Sequence, residues 1–373
     1  MVLEKTRRSY GELLELYKKG ELDEKQGLQI EADINKLIRR AFVKMGVIVC
    51  IVTLAVVVFV QLALPDIVSY FYYDPGKEIS EDCNQISRDM AVYSELVIPA
   101  YVRDDIRVDA GGYGKYDIRI YQDVSYNGRF TNIAGKIEKG KITLYDMNSL
   151  KRPTGNLFAW FQMHGNTSKS LTQLITEGKE NFCAAGDTQM ATEALNKLNE
   201  KEMYVAYVTL DRMMSYEEFM KFISNKDHLT STWCAVVTNG QQQDTSVDSM
   251  FRADNIGFQC GLTKSTELTW DKDKYPNLLL WDEGDKDIEI LKQKMKTETY
   301  MKTHFVSMLK YVSKQEKFLK MMDENPEKFS NAADYVENHG ITVYGFAAMA
   351  DKETLLELNK MSQIYEIYTE PLK

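Results

Sequence analysis

A run of twenty uncharged residues, from Met45 to Leu64, constrains this chain more than any other feature. At about 1.5 Å per residue, a helix of that length spans about 30 Å, which is the thickness of the hydrocarbon core of a bilayer. The run lacks a small-residue cleavage site after a short apolar stretch, so it differs from a signal peptide. We therefore predict one transmembrane helix over 45–64, with a buried core helix as the alternative.

The charges around this run predict its orientation. Four basic residues precede it with no acid among them: Lys36, Arg39, Arg40 and Lys44. Asp66 and Asp74 follow it. The positive-inside rule then places the N-terminus in the cytoplasm and the larger C-terminal part outside a cell membrane that the chain crosses once. Four aromatic residues form a predicted interface belt where the chain leaves the lipid: Tyr70, Phe71, Tyr72 and Tyr73.

Net charge differs between the two sides of the run. Residues 1–44 carry a net charge of +2 and the remaining residues a net charge of −11. An acidic outer part argues against binding nucleic acid or anionic lipid head groups there. Its length is sufficient for one or two domains with hydrophobic cores.

The predicted cytoplasmic arm, residues 1–44, reads as two helices joined by a tight turn. Ser9 and Glu12 form a capping box for the first helix, which ends near Gly20, and a second helix opens at Asp23 and continues into the membrane run. About 40 residues cannot bury their own apolar faces well, so these faces require a partner. The alternative is a hairpin that packs on itself or on the lipid. Nine residues are predicted to contact the partner: Tyr10, Leu13, Leu14, Leu16, Tyr17, Leu28, Ile30, Ile34 and Leu37.

The outer part is predicted to be α+β. Residues 65–154 read as a sheet-rich region, with strands at 92–99 and 116–124 and a hairpin turning near Lys139 and Gly140. Residues 155–373 read as an α+β domain with two β-α-β units, at 203–238 and 341–369, and a helical stretch over 286–322. We predict that the two units are a structural repeat and that their strands join one sheet.

The four cysteines after the membrane run permit three pairings of disulfides. We favour Cys234 with Cys260 because both lie in strand-like runs, and the alternative is free buried thiols. The spacing of the cysteines matches no zinc site.

Several segments, in their order around one membrane span, resemble the membrane-anchored anti-sigma factors of Gram-positive bacteria, which carry sigma-factor-regulator N-terminal and C-terminal domains. The segments that carry this resemblance are 16–22, 70–75, 93–99, 204–208, 256–261 and 339–346. The resemblance implies that the arm binds an extracytoplasmic-function sigma factor and blocks its access to RNA polymerase, while the outer domain senses the state of the envelope. Release would act through the span, or through a second membrane regulator or a protease.

The chain departs from the zinc-containing anti-sigma arms, because no cysteine or histidine precedes residue 45. None of the four histidines lies in a motif for nucleophilic or metal-dependent catalysis, so we predict neither an enzyme nor a cofactor. A rival function is an anchored adhesion or ligand-binding module without a role in transcription. Its candidate glycan-binding aromatic residues are Trp160, Trp233, Trp270 and Trp281.

Overall fold

The computed structural model describes residues 24–80, 83–99, 101–124, 129–145, 157–163, 182–185, 188–224, 229–239, 250–251, 254–262, 268–280 and 288–372, together with residues 15, 18–20 and 226. The chain divides into two compact units, Met1–Asp66 and Ile67–Lys373. The boundary lies two residues beyond the predicted transmembrane run, so that run belongs to the first unit.

A long helix dominates the first unit. Helix α1 covers Glu24–Val58, passes into a π-helical turn at Phe59–Ala63 and continues as α2, Leu64–Tyr70. Before α1, Gly20 has a φ of 71°, a left-handed conformation that glycine adopts without strain. The predicted turn and the unbroken second helix are confirmed, whereas the first predicted helix lies almost wholly outside the described residues.

The second unit begins with a short antiparallel pair, β1 (Glu78–Ser80) and β2 (Cys83–Asn84), which leads into α3 (Gln85–Val97). The side chain of Asn84 caps α3 by accepting a hydrogen bond from the Ser87 amide at 3.1 Å. The predicted strand over 92–99 was therefore wrong, since most of it is helical. The β-branched and aromatic residues of this segment favour a strand locally, but in the fold α3 is a helix that is buried on nearly all sides.

A four-stranded antiparallel meander follows, in the order β3 (Val102–Gly112), β4 (Lys115–Val124), β5 (Arg129–Glu138) and β6 (Lys141–Leu144). The β3–β4 turn at 113–114 and the β5–β6 turn at 139–140 lie side by side, because the Lys139 amide donates to the Gly114 carbonyl at 2.7 Å. The predicted strand over 116–124 and the turn near Gly140 are confirmed.

The remaining strands form one eight-stranded sheet: β7 (Trp160–Met163), β8 (Phe182–Ala185), β9 (Met203–Ser215), β10 (Thr230–Val236), β11 (Met250–Phe251), β12 (Gly257–Gln259), β13 (Thr342–Asp351) and β14 (Ile364–Pro371). Its order is β11-β7-β8-β9-β13-β10-β12, with β14 also paired to β9. Strands β14, β9, β13 and β10 are thus neighbours, which is the interleaved arrangement of two split β-α-β units. The predicted repeat in one sheet is confirmed.

Besides α3, the described residues of this unit form seven helices: α4 (Thr188–Asn196), α5 (Tyr216–Ile223), α6 (Ile288–Lys294), α7 (Glu298–Ser313), α8 (Glu316–Met321), α9 (Pro326–His339) and α10 (Lys352–Leu358). Helices α6, α7 and α8 lie in the predicted helical stretch. Along β9, residues alternate between two clusters: Ala206 and Val208 join the main core, while Val205 and Tyr207 join a smaller cluster with Phe158. The sheet is therefore covered on both faces.

One hydrophobic core spans the second unit. It includes Leu96 of α3, Ile120 of the meander, Phe305 of α7 and Phe346 of the large sheet. The predicted domain boundary between residues 154 and 155 lies outside the described residues, and the regions before and after it form one compact unit.

Candidate functional site

Five of the nine residues predicted to contact a partner lie outside the described residues: Tyr10, Leu13, Leu14, Leu16 and Tyr17. The other four are in α1. Positions 30, 34 and 37 recur with the helical period and share one face, whereas Leu28 lies two residues before Ile30, about 200° around the axis. Leu28 is 64% exposed and Leu37 is 43% exposed. The stripe on α1 is therefore Ile30, Ile34 and Leu37, and the position of Leu28 on the other side of the helix argues against a contact with the same partner surface.

The helix that carries this stripe is also the candidate membrane span. Among the described residues, one helix, Gly27–Tyr70, is long and apolar enough to cross a bilayer, with a mean hydropathy of 3.0 in its most apolar part. None of that part is buried against protein. The four predicted basic interface residues are all exposed on α1: Lys36, Arg39, Arg40 and Lys44. Their charges can therefore reach water or lipid head groups.

The four residues of the predicted aromatic belt lie in different environments: the first two are exposed, and the last two pack against the protein. Tyr70 and Phe71 are 77% and 71% exposed, and their rings meet edge to face at 5.9 Å. Tyr72 packs against the turns of the meander, where a Cβ added to Gly114 would lie 3.2 Å from its ring. Tyr73 is buried and contacts the ring of Phe318 at 5.5 Å. The prediction of a membrane-interface position for Tyr73 was therefore wrong, because its side chain belongs to the protein core.

The hydroxyl of Tyr73 forms a hydrogen bond with a buried carboxylate, that of Asp89. Tyr73 donates to Asp89 Oδ2 at 2.6 Å, Gln85 donates to Oδ1 at 2.8 Å, and Tyr311 of α7 also donates to Oδ1. Asp89 is fully buried, and this burial raises its pKa above the ordinary value in spite of the three donors. We call these four residues the Asp89 hub. The hub joins the segment after the candidate span to α3 and α7.

Arg88 extends the hub toward the surface. Its Nε donates to the Tyr311 hydroxyl at 2.8 Å, and one terminal nitrogen donates to the Thr269 carbonyl at 2.7 Å. The guanidinium also lies 5.3 Å from the centre of the Tyr311 ring. Tyr311 is therefore held between a carboxylate and a cation, which fixes the position of α7 relative to α3.

A second buried polar group lies two turns further along α3. Glu95 Oε1 lies 3.1 Å from His304 Nε2, and His304 Nδ1 lies 2.6 Å from the Asn277 carbonyl. Because a carbonyl only accepts, His304 donates from Nδ1 to Asn277, and its Nε2 faces the Glu95 carboxyl group. The Trp233 indole donates to the Glu95 carbonyl at 2.7 Å. Together these bonds connect α3 to α7 and to the large sheet.

These two polar groups are not among the predicted site residues, although a local signal existed for each. Asp89 and Glu95 interrupt an apolar segment, which is an unusual position for acids unless they are paired. His304 follows Met301 by three residues and precedes Met308 by four, so it lies on the apolar stripe of its helix. The partners could not be assigned from the sequence because they lie far away along the chain.

Cys234 and Cys260 lie on the same side of adjacent strands, because Cys234 pairs with Phe258, two residues before Cys260. Both are free thiols in the structure, so the disulfide is absent from it and remains a prediction. Burial, and next the hydrogen bond to Cys260, raise the pKa of the Cys234 thiol. This thiol is therefore a poor nucleophile at neutral pH.

Two of the four tryptophans proposed for a glycan groove can be placed. Trp233 is fully buried and donates to Glu95, so it cannot contact a glycan. Trp270 is partly buried, and its indole nitrogen donates to the Tyr275 carbonyl at 3.1 Å. The side chains of Trp160 and Trp281 lie outside those that the structure describes.

Residues 195–368 match the model of the sigma factor regulator C-terminal family. The matched region runs from the end of α4 into β14, so it contains both β-α-β units and helix α7, which supplies Tyr311 and His304 to the two buried polar groups. Comparison with curated proteins and with solved structures gave no match. The C-terminal part of the chain, residues 195–368, is therefore similar to the sigma factor regulator C-terminal family.

Proposed function

We propose that this protein is a single-pass membrane anti-sigma factor that binds an extracytoplasmic-function sigma factor through its N-terminal helices. The observation that carries the proposal is the sigma factor regulator domain at residues 195–368, which follows one exposed apolar helix. The basic residues before that helix support a cytoplasmic N-terminus. The second unit then lies outside the cell, where it receives an envelope signal. This is a binding and signalling role rather than catalysis.

The apolar stripe on α1 supports the binding half of the proposal. Burial of one Leu or Ile side chain stabilises a complex by about 1.5–3 kcal/mol, before the costs of association. An aspartate at the same position would instead place a charge in an apolar interface, which is unfavourable by more than the lost contact. The stripe therefore offers a sharp test, and Leu28 on the opposite face offers a matched control.

The Asp89 hub supports the signalling half. Tyr73 follows the candidate span closely and is bonded to the same carboxylate as Tyr311 of the matched domain. A stimulus that shifts α7 would therefore disturb the segment through which the outer part connects to the membrane helix. Release of the sigma factor follows either from that disturbance or from cleavage by a protease, and a second membrane regulator is a further candidate partner.

The test is co-purification of the full-length chain from its own membranes, with quantification of the bound sigma factor. We expect the double variant Ile34→Asp/Leu37→Asp to lower the affinity at least about tenfold, since 1.4 kcal/mol corresponds to a factor of ten. Leu28→Asp introduces one such charge on the other side of the same helix and should retain binding within about threefold.

Absence of a sigma factor from the wild-type preparation would overturn the proposal, as would equal loss of binding in both variants. Retention of a cell-wall ligand without any sigma factor would favour the rival adhesion module. Binding that survives high salt would agree with an interface dominated by apolar burial.

A further inference from the structure

The end of the second unit that lies next to the candidate span combines exposed aromatic rings with lysines. Tyr70 and Phe71 are the exposed rings, and Lys317 of α8 lies beside them, donating to the Tyr70 carbonyl at 2.7 Å. The ammonium group of Lys317 also stands 5.3 Å from the centre of the Tyr70 ring. Tyrosine rings that have one apolar and one hydrated end are typical of bilayer interfaces.

Both turns of the meander, 113–114 and 139–140, are held next to Ser69 and Tyr72. The Gly114 amide donates to Ser69 Oγ at 3.0 Å, and the Lys139 amide donates to the Gly114 carbonyl at 2.7 Å. The Tyr72 ring contacts both turns, since a Cβ on Gly140 would lie 3.5 Å from it. These bonds hold the two turns against the last turn of α2.

The turns carry a local excess of positive charge in an acidic unit. Lys115, Lys139 and Lys141 are exposed, and Glu138 pairs with Lys115 across one pair of strands and with Lys141 across the next. On α8, Lys317 is preceded by the exposed Glu316. The exposed residues named here are thus four lysines and two glutamates, which gives this end a net positive charge. We call Tyr70, Phe71, Lys317 and the two turns, 113–115 and 138–141, the membrane-side platform.

The distance along the chain restricts where the platform can be. Ser69 follows Leu64, the last residue of the uncharged run, by five residues. Five helical residues extend by about 7.5 Å, so the backbone that Ser69 holds stays within about 8 Å of the edge of the hydrocarbon core. The head-group layer on each side of a bilayer is about 5–8 Å thick. With the proposed membrane anchoring, the chain therefore tethers the turns within reach of the lipid phosphates.

We infer that the membrane-side platform docks on anionic phospholipid head groups of the bilayer that the chain's own helix crosses. This inference rests on the membrane anchoring in the proposed function. It reverses, for this one surface, the expectation from net charge that the outer part avoids anionic lipid. Phosphates accept from the lysines, while Tyr70 and Phe71 occupy the interface beneath them. Docking would hold the Asp89 hub close to the lipid surface.

The experiment measures amide hydrogen exchange of the full-length chain in lipid nanodiscs made of phosphatidylcholine alone or mixed with phosphatidylglycerol. We expect peptides that cover 110–118 and 136–144 to exchange at least about threefold more slowly in the anionic discs, and the difference to disappear at high salt. The discs contain no cell-wall polymer, so any protection reports on lipid.

Two variants and a control separate local from general charge effects. The triple variant Lys115→Glu/Lys139→Glu/Lys141→Glu should lose the lipid-dependent protection, and the milder triple change to glutamine should reduce it. A control with the same change in net charge at exposed lysines outside the platform should retain it: Lys197→Glu/Lys201→Glu/Lys360→Glu. Equal exchange of an inserted chain in both lipids, or equal loss in the control, would overturn the inference. A chain that does not enter the discs would overturn the membrane anchoring as well.

Discussion

Asp89 is the residue that most clearly departs from ordinary burial rules. Its carboxylate is fully buried, and the Tyr73, Tyr311 and Gln85 donors replace the water that it would otherwise bind. Desolvation nevertheless dominates and raises its pKa. A buried acid in this state makes the stability of the second unit depend on pH.

The sign of this dependence follows from proton linkage. Because the pKa of Asp89 is higher in the folded protein than the ordinary value of 3.8, the folded protein retains a proton that the unfolded chain has released. Its contribution therefore favours folding most at low pH, and stability decreases as the pH rises through the folded-state pKa.

We expect Asp89→Asn to remove this component. Urea unfolding of the full-length chain in detergent, from about pH 4 to about pH 8, should show that the stability of the variant relative to wild type rises with pH and then levels off. The exposed carboxylate Asp109 supplies the control, and Asp109→Asn should leave the pH profile unchanged. A parallel profile for wild type and Asp89→Asn would refute the role assigned to this carboxylate.

At the scale of elements, local signals decided which parts of the fold could be predicted. Helix α5 has a local signal in the sequence, because Ser215 with Glu218 three residues later is a capping-box pattern, and in the structure Ser215 accepts from the Glu218 amide. Helix α3 was mistaken for a strand because its second half is rich in β-branched and aromatic residues, whereas tertiary burial outweighs that local propensity. The strands of the β-α-β units have strong β propensity and distinct ends, so their order and approximate limits followed from the sequence.

Strand β12 shows how closely two elements can approach. A Cβ added to Gly257 would lie 1.9 Å from the Cys234 carbonyl oxygen and 2.6 Å from the Trp233 ring, so only glycine fits between β12 and β10. Gly261, in the same predicted glycine-containing segment, has no atom within 4 Å of the corresponding position. The two glycines therefore form a matched pair.

We expect Gly257→Ala to destabilise the second unit by about 3 kcal/mol or more, because backbone and a buried indole must both move. Gly261→Ala should change stability by no more than about 0.5 kcal/mol. Thermal unfolding followed by circular dichroism would measure both. Similar melting temperatures for the two variants would show that β12 is not held against β10 in this way.

At the scale of the whole molecule, the main core of the second unit joins the two regions that the sequence predicted. The contacts that unite it join residues far apart, such as Asp89 with Tyr311 and Glu95 with His304. Patterns of neighbouring residues cannot reveal such contacts. For the same reason, the apolar stripe of the arm could be predicted, whereas the hydrogen bonds of the Asp89 hub could not.

A single core predicts a single cooperative transition for the second unit. Ile120→Ala in β4 and Phe305→Ala in α7 remove fully buried side chains, so each should cost about 2–5 kcal/mol and lower the same transition. Circular dichroism and the fluorescence of the buried Trp233 would follow this unfolding transition. Two separate melting steps, with Ile120→Ala shifting only one of them, would contradict this expectation.

The bond between Tyr73 and Asp89 has a consequence for how the sigma factor could be set free. Proteases generally bind the segment that they cut as an extended strand, and residues 64–70 are helical while Tyr73 is bonded inside the fold. The peptide bonds that follow the candidate span are therefore shielded in this structure. If the proposed release uses cleavage at this place, the Tyr73–Asp89 bond has to break first, so cleavage would report that this part of the fold is already open.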